Sequence, residues 1–285
     1  LTDSSAASDV YKRQVVLIVF LGALWLSSQS EGPSKFPKEV TDKFTFTAWV
    51  NDGEDYLKKN YRWITKIIAG YIKSGYYFLE DFLIESPWLL IASILFLPCL
   101  IAGGLRLGLY SLFVIYFWGG VGMWDESLQT LALMGLSVTL CVFFGVLLGV
   151  LCSQSDRFEN FMKPILDTMQ VMPAFVYLFP ALFFFGIGGA PAILATMIYA
   201  MPPIIRLTNA GIRQVSDQII ESATSFGSNK LQLLFKIKIP LSLPSIMMGI
   251  NQVIMMALAL VVLACFIGAE GIAVSYTHLT LPTSR

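Results

Sequence analysis

Hydrophobic and polar positions in this chain alternate in long blocks. From Pro87 onward, apolar runs near residues 87–103, 107–122, 128–152, 166–186, 190–206 and 245–267 are separated by short polar breaks. Runs of that length approach the ~20 residues that a helix needs to cross a ~30 Å hydrocarbon layer. Six transmembrane helices are therefore expected, in an all-α, polytopic membrane domain over residues 86–272. Pro98, Pro173, Pro180, Gly135 and Gly145 fall inside these runs, which is tolerated where neighbouring helices re-satisfy freed backbone groups. Gly145 and Gly149, four apart, would let two helices approach closely.

The pattern before Pro87 is different. Residues 15–28, "VVLIVFLGALWLSS", would reach only about 21 Å as a helix and read as a short anchor or signal-type apolar segment. Residues 29–52, with Pro33 and Pro37, read as a solvated linker. Over residues 53–84, Leu57, Tyr61, Ile64, Ile68, Tyr71, Leu79 and Phe82 recur at three- and four-residue intervals, with one gap at Gly75, while Lys58, Lys59, Arg62, Lys66 and Lys73 take other faces. Such an amphipathic helix either lies on the bilayer surface or packs on the protein's own flank. Both termini depart from what they adjoin. "SSAASDVYKRQ" and "VSYTHLTLPTSR" resemble translated sequencing-adapter read-through, so residues 1–14 and 273–285 are set aside as non-native tails, together with the single histidine, His278.

Composition agrees with the pattern: 56 % of the 285 residues are hydrophobic and 13 % charged, and mean hydropathy is +0.70. Zero net charge gives no basic surface with which to hold a nucleic acid. Cys99, Cys141, Cys152 and Cys265 stand singly in apolar surroundings; they read as small core residues, not as a metal site. Charge matters by position. Arg106, then Arg157 and Lys163, then Arg206, Arg213, Lys230, Lys236 and Lys238 occupy one set of breaks; Asp125 and Glu126, the uncharged "GIGGAP" and Glu270 occupy the other. The first set is cytoplasmic by the positive-inside rule, which places residues 29–86 outside.

The cytoplasmic loop at 207–244 holds two expected short helices. Ser216 can cap the first, whose Ile219, Ala223 and Phe226 share a face, and Gly227 sits where a left-handed stop is needed. Ser228 can cap the second, Leu231, Leu234 and Phe235 mark its apolar side, and Pro240 is expected to end it. Apolar groups too few to form a core suit either a protein partner or the headgroup layer.

Glu221, Ser222, Ala223, Gly227, Ile237 and Pro240 match the spacing EAA-x3-G-x9-I-x-L-P, with Ser222 at the second position and Ile239 in place of the leucine. This resembles the "EAA" loop of bacterial ABC importer permeases. The segments "DTMQVMPAFVYLFPALFFFGIG", "MPPIIRLTNAGIRQV" and "SIMMGINQVIMMALALVV" are similar to the permeases of the glycine betaine/proline betaine importers, over roughly residues 86–272. The resemblance implies a type I permease fold and a multi-pass position in the bacterial inner membrane. It also implies a homodimer, a separate ATP-binding cassette ATPase docked on the Glu221–Ala223–Gly227 segment, and an extracytoplasmic substrate-binding protein. Family permeases continue past "GAEG" into one further span, so a truncated C-terminus is also implied.

No phosphate-binding GxxxxGK[ST] loop occurs, so ATP hydrolysis is assigned to a partner; no catalytic residue, cofactor or metal is expected in this chain. A betaine's quaternary ammonium is suited to aromatic faces, which makes Phe175, Tyr177, Phe179 and Tyr199 candidates for the substrate path, with Phe175 and Tyr177 on different helix faces. Asn251 and Gln252 lie inside a span and face either the path or a neighbouring helix. An ion-driven secondary carrier would place carboxylates or other ionisable groups within the membrane; here the spans lack an internal carboxylate, apart from Asp167 at an edge. A non-transporting scaffold is the remaining alternative.

Overall fold

A computed structural model describes residues 17–22, 25, 46–269 and 271. The tails at 1–14 and 273–285, and most of the anchor and linker segments, lie outside these residues. The chain divides into two compact units, Leu1–Leu57 and Lys58–Arg285. In the first, residues 17–22 are helical and exposed. Helix α1 (Phe46–Glu85) starts there and runs on into the second unit. The second unit continues with α2 (Trp88–Val121), α3 (Trp124–Gln154), α4 (Asp156–Val171), α5 (Ala174–Phe185), α6 (Gly189–Arg213), α7 (Asp217–Ser225), α8 (Lys230–Leu233) and α9 (Ile239–Ala264).

Among the described residues, four helical stretches are long and apolar enough to cross a membrane: α2, α3, α6 and the continuous run Lys230–Ala264; the bent pair α4–α5 makes a fifth if it is one span. Six spans are expected, and part of the difference lies inside α2. Gly104 has φ 67° and ψ −166°, a conformation open to glycine and costly for other residues. A Cβ at Gly108 would lie 2.9 Å from Leu100 Cδ1 and 3.1 Å from Phe96 Cε2. Eight residues of unbroken helix would instead separate positions 100 and 108 by about 12 Å. The chain therefore doubles back at Gly104, and the two halves of α2 correspond to the runs expected at 87–103 and 107–122.

The run expected at 166–186 is not one helix. Met172 is extended (φ −69°, ψ 133°), as the residue before Pro173 must tend to be, and α4 and α5 meet at 102°. Asp156, Arg157, Glu159 and Lys163 in the first half of α4 hold that half out of hydrocarbon. In α1 the packed face differs from the expected one. Ile72, Tyr76, Leu79 and Leu83 join the core, whereas Tyr71 and Phe82 are exposed. This half of α1 packs on the protein's flank. Leu57 and Tyr61 carry side chains outside the described set. Glu80, on the packed face, is buried; its Oε1 accepts from Gln129 Nε2 at 3.0 Å.

Helix α6 is the centre of the unit. Buried residues make up 72 % of its membrane-length stretch, against 11 % for α2, because α3 and α9 close on it from two sides. Glycines set that approach. A Cβ at Gly145 of α3 would overlap Ile204 Cγ2, and one at Gly249 of α9 would sit 3.1 Å from Ile204 Cα. At Gly149 a Cβ would lie 2.6 Å from Thr208 Cβ and 2.9 Å from the Ile205 carbonyl oxygen. Ile204, Ile205 and Thr208 are accordingly buried to 1 % exposure or less.

Two substitutions test this packing. Gly149→Val must push α3 away from backbone atoms of α6, and should cost about 1–3 kcal/mol or more, visible as a lowered thermal midpoint in detergent. Gly135→Ala, where a Cβ meets nothing within 4 Å, should leave the midpoint unchanged or slightly raised.

Candidate functional site

The helix pair that follows α6 is built by its caps. Ser216 occupies the N-cap of α7 in extended backbone (φ −62°, ψ 140°), yet its hydroxyl makes no capping bond; its carbonyl accepts from Ile219 N at 3.1 Å and Ile220 N at 3.3 Å. At the other end Gly227 has φ +84°. Its N–H donates to Thr224 O at 2.9 Å, and the Ser228 N–H donates to Ala223 O at 3.1 Å, the paired bonds that close a helix through a left-handed residue. A Cβ at Gly227 would meet nothing within 4 Å, so backbone conformation, not space, calls for glycine.

The second helix is capped by Asn229 and not by Ser228. Asn229 Oδ1 accepts from Gln232 N at 2.8 Å, and Gln232 Oε1 accepts from Asn229 N at 3.0 Å. This reciprocal box was legible as Asn-x-x-Gln. Pro240 does not end the helix. Lys230–Ala264 is continuous, through α8, a π-helical turn at Leu234–Lys238, and α9. The Ile239 N–H reaches back five residues to Leu234 O. In a regular helix the Pro240 ring would strike the carbonyl four residues earlier; one wide turn displaces that carbonyl and lets the helix pass. The segment is thus a short helix, α7, joined at Gly227 to a continuous helical rod, Lys230–Ala264.

Of the residues matched to the loop motif, Glu221, Ser222, Gly227 and Pro240 are exposed, and Ala223 and Ile237 are half-buried. No residue of α7 is buried. Ile219, Leu231 and Phe235 are exposed, and Phe226 is 91 % exposed, leaving four large apolar side chains of this small unit uncovered.

Beneath α7 lies a polar knot that periodicity did not reveal. Arg213, at the end of α6, is paired with Asp156 Oδ1 at 2.7 Å and Glu159 Oε2 at 3.0 Å. It also donates to the Cys152 carbonyl at 3.0 Å and to Asn209 Oδ1 at 3.0 Å. Asn209 Nδ2 in turn donates to Glu159 Oε1 at 3.0 Å, and Lys163 stands 3.2 Å away. Burial pushes the Glu159 carboxyl up, but hydrogen bonds from Lys163 and Asn209 and the Arg213 charge outweigh it and hold the group below the usual carboxylate value. The knot joins the ends of α3, α4 and α6, and α7 leaves from it four residues later. About two turns up, Arg206 pairs with Asp167 at 2.6 Å. The only signal in the sequence was opposite charges some fifty residues apart.

The proposed path residues are not gathered into one place. Tyr177 is buried beside Tyr199, ring centroids 5.7 Å apart, and its hydroxyl donates to Met169 O. Phe175 points elsewhere, towards Phe179 at 5.9 Å and Phe266 at 5.8 Å. Asn251 and Gln252 are exposed on α9, and among the described residues neither has a hydrogen-bond partner, so the helix-to-helix role is not the one seen.

Comparison with known proteins now bears on this arrangement. Residues 142–281 match the family described as binding-protein-dependent transport system inner membrane component. The chain is 36 % identical over 259 residues to the glycine betaine/proline betaine transport system permease protein ProW of Escherichia coli (strain K12), covering 88 % of this chain and 72 % of that protein. It is 40 % identical over 232 residues to the glycine betaine/carnitine transport permease protein GbuB of Listeria monocytogenes serotype 1/2a (strain 10403S), covering 79 % and 81 %. Over 152 residues it is 50 % identical to the glycine betaine transport system permease protein OpuAB of Bacillus subtilis (strain 168), covering 53 % and 54 %. The chain, with its apolar helices, belongs to the binding-protein-dependent transport system inner membrane components, as a multi-pass membrane permease.

Proposed function

We propose that this chain is the permease subunit of an ATP-driven importer of glycine betaine, proline betaine or a related quaternary-ammonium solute. Its partners would be a separate ATPase, an extracytoplasmic binding protein and a second copy of itself. The observation that carries this reading is the unit formed by α7, Gly227 and the Lys230–Ala264 rod. An ATPase groove that takes Ile219, Phe226 and Leu231 would grip α7; Gly227 fixes the angle at which α7 meets the rod, and the rod carries movement to the level of Asn251 and Gln252. Polar side chains exposed in mid-span suit a water-lined path or a facing copy better than lipid. The relatives' names supply the substrate class.

In proteoliposomes holding the complete importer, Gly227→Val should lower ATP-dependent betaine uptake at least ~10-fold, since a β-branched residue at φ +84° is strained by about 1–3 kcal/mol. Uptake equal to that of the unsubstituted protein would sink the coupling role. Uptake driven by an ion gradient without ATP would favour a carrier instead.

The dimer makes its own prediction. With the native cysteines replaced, Gln252→Cys should be joined between copies by a short bis-maleimide in membranes, whereas Cys introduced at Phe143, exposed on α3, should remain monomeric on denaturing gels. The reverse pattern would displace the interface from α9.

A further inference from the structure

The doubling of α2 at Gly104 has a product at the opposite end of its two halves. Trp88, the first residue of α2, comes to face residues 115–120, and with Trp124, the first residue of α3, they line a cavity of about 410 Å³ whose other walls are Ile115, Tyr116, Gly119 and Gly120. Three aromatic residues from three segments thus border one open pocket, with Trp88 58 % and Tyr116 81 % exposed. That volume lies within the range of small-molecule sites. Gly119 and Gly120 border it in open space, where a Cβ would meet nothing within 4 Å.

The electrostatics of the cavity select a sign. The last turn of α2 ends here, and the carbonyl end of a helix is partially negative. The Gly122 and Met123 N–H groups cap the Gly119 and Trp118 carbonyls at 3.2 Å. Glu80, Asp81, Glu85, Asp125 and Glu126 flank the lining residues in sequence, and no Lys or Arg occurs at 74–105 or 107–156. An anion is disfavoured. A primary ammonium needs hydrogen-bond acceptors for each N–H, whereas the lining offers mainly aromatic faces, which suit a cation that has no N–H to donate. Trp and Tyr are common at membrane interfaces as outward-facing belts; around this cavity they share one space.

We propose that Trp88, Tyr116 and Trp124 form a site for a trimethylammonium group, on the face that the Lys and Arg distribution assigns to the outside. The site rests on the betaine-importer reading and adds to it a loading position on the permease itself, away from the α9 path.

The test uses the full chain in nanodiscs of phosphatidylethanolamine and phosphatidylglycerol, with radiolabelled glycine betaine as probe. Saturable binding should be displaced by tetramethylammonium and not by 3,3-dimethylbutyrate, the uncharged-carbon counterpart of betaine. Trp88→Leu and Trp124→Leu should each weaken it ~10-fold, Trp124→Phe should retain most of it because a π face remains, and Trp118→Leu, outside the lining, should leave it unchanged. Phosphatidylcholine nanodiscs separate two sources of the same group: weakened betaine binding there identifies the lipid headgroup as an occupant of the site, and unchanged binding identifies the free solute alone. The inference is overturned by absent saturable binding, by equal displacement with dimethylbutyrate, or by lining variants that bind like the unsubstituted chain. If ATP-driven betaine uptake by the complete importer persists alongside such a result, the site alone falls; if that uptake is also absent, the importer reading falls with it.

Discussion

The close approach of α3 and α9 to α6 around Ile204 is the constraint from which the rest follows. Gly145 and Gly249 lie against the same isoleucine from opposite sides, and Gly149 brings the α3 backbone against Thr208 and Ile205 one turn further on. In lipid the hydrophobic effect gives helices little reason to associate, so such contact surfaces must supply the attraction through dispersion and fit. They make α6 a fixed post. Arg213 lies at its foot and α9 along its side.

From that post the functional geometry is short. Arg213 ties the ends of α3 and α4 to α6, and the chain then passes directly into α7. Gly227 turns it through a left-handed stop, and the π turn at Leu234–Lys238 carries it past Pro240 into α9. A break at Pro240 would have left the cytoplasmic pair as a flap on a flexible joint. A continuous rod makes it one piece with α9, which packs on α6; in the proposed importer it would be the end of a lever. The strain of one wide turn is the cost of that continuity.

Much of this was legible in the amino-acid sequence. Long apolar runs give the helices and the membrane setting, and the two-glycine interval on α3 marks the tight contact. The left-handed stop at Gly227 and the spacing from Glu221 to Pro240 give the cytoplasmic pair. What escaped had physical reasons. Proline predicts a break, but a π turn is a backbone solution with no side-chain signature. Met172–Pro173 lies inside an apolar run, so hydropathy passes through a 102° bend that only the proline betrays. The packed face of α1 was misplaced because exposed Tyr71 and Phe82 carry the same apolar signal as buried Ile72 and Tyr76. The Arg213 knot and the Trp88–Tyr116–Trp124 cavity join residues distant in the chain, and periodicity is blind to both.

The central claim is that the cytoplasmic helix pair and α9 move as one body. Electron–electron double resonance on the complete importer tests it, with spin labels at exposed Leu231 and Met247 of one copy and, separately, at Phe226 of both copies. The account predicts that the Phe226 distance between copies changes between the nucleotide-free and ATP-bound states, while the Leu231–Met247 distance within a chain stays fixed. A Leu231–Met247 distance that changes with nucleotide would show a joint at the π turn and contradict the lever.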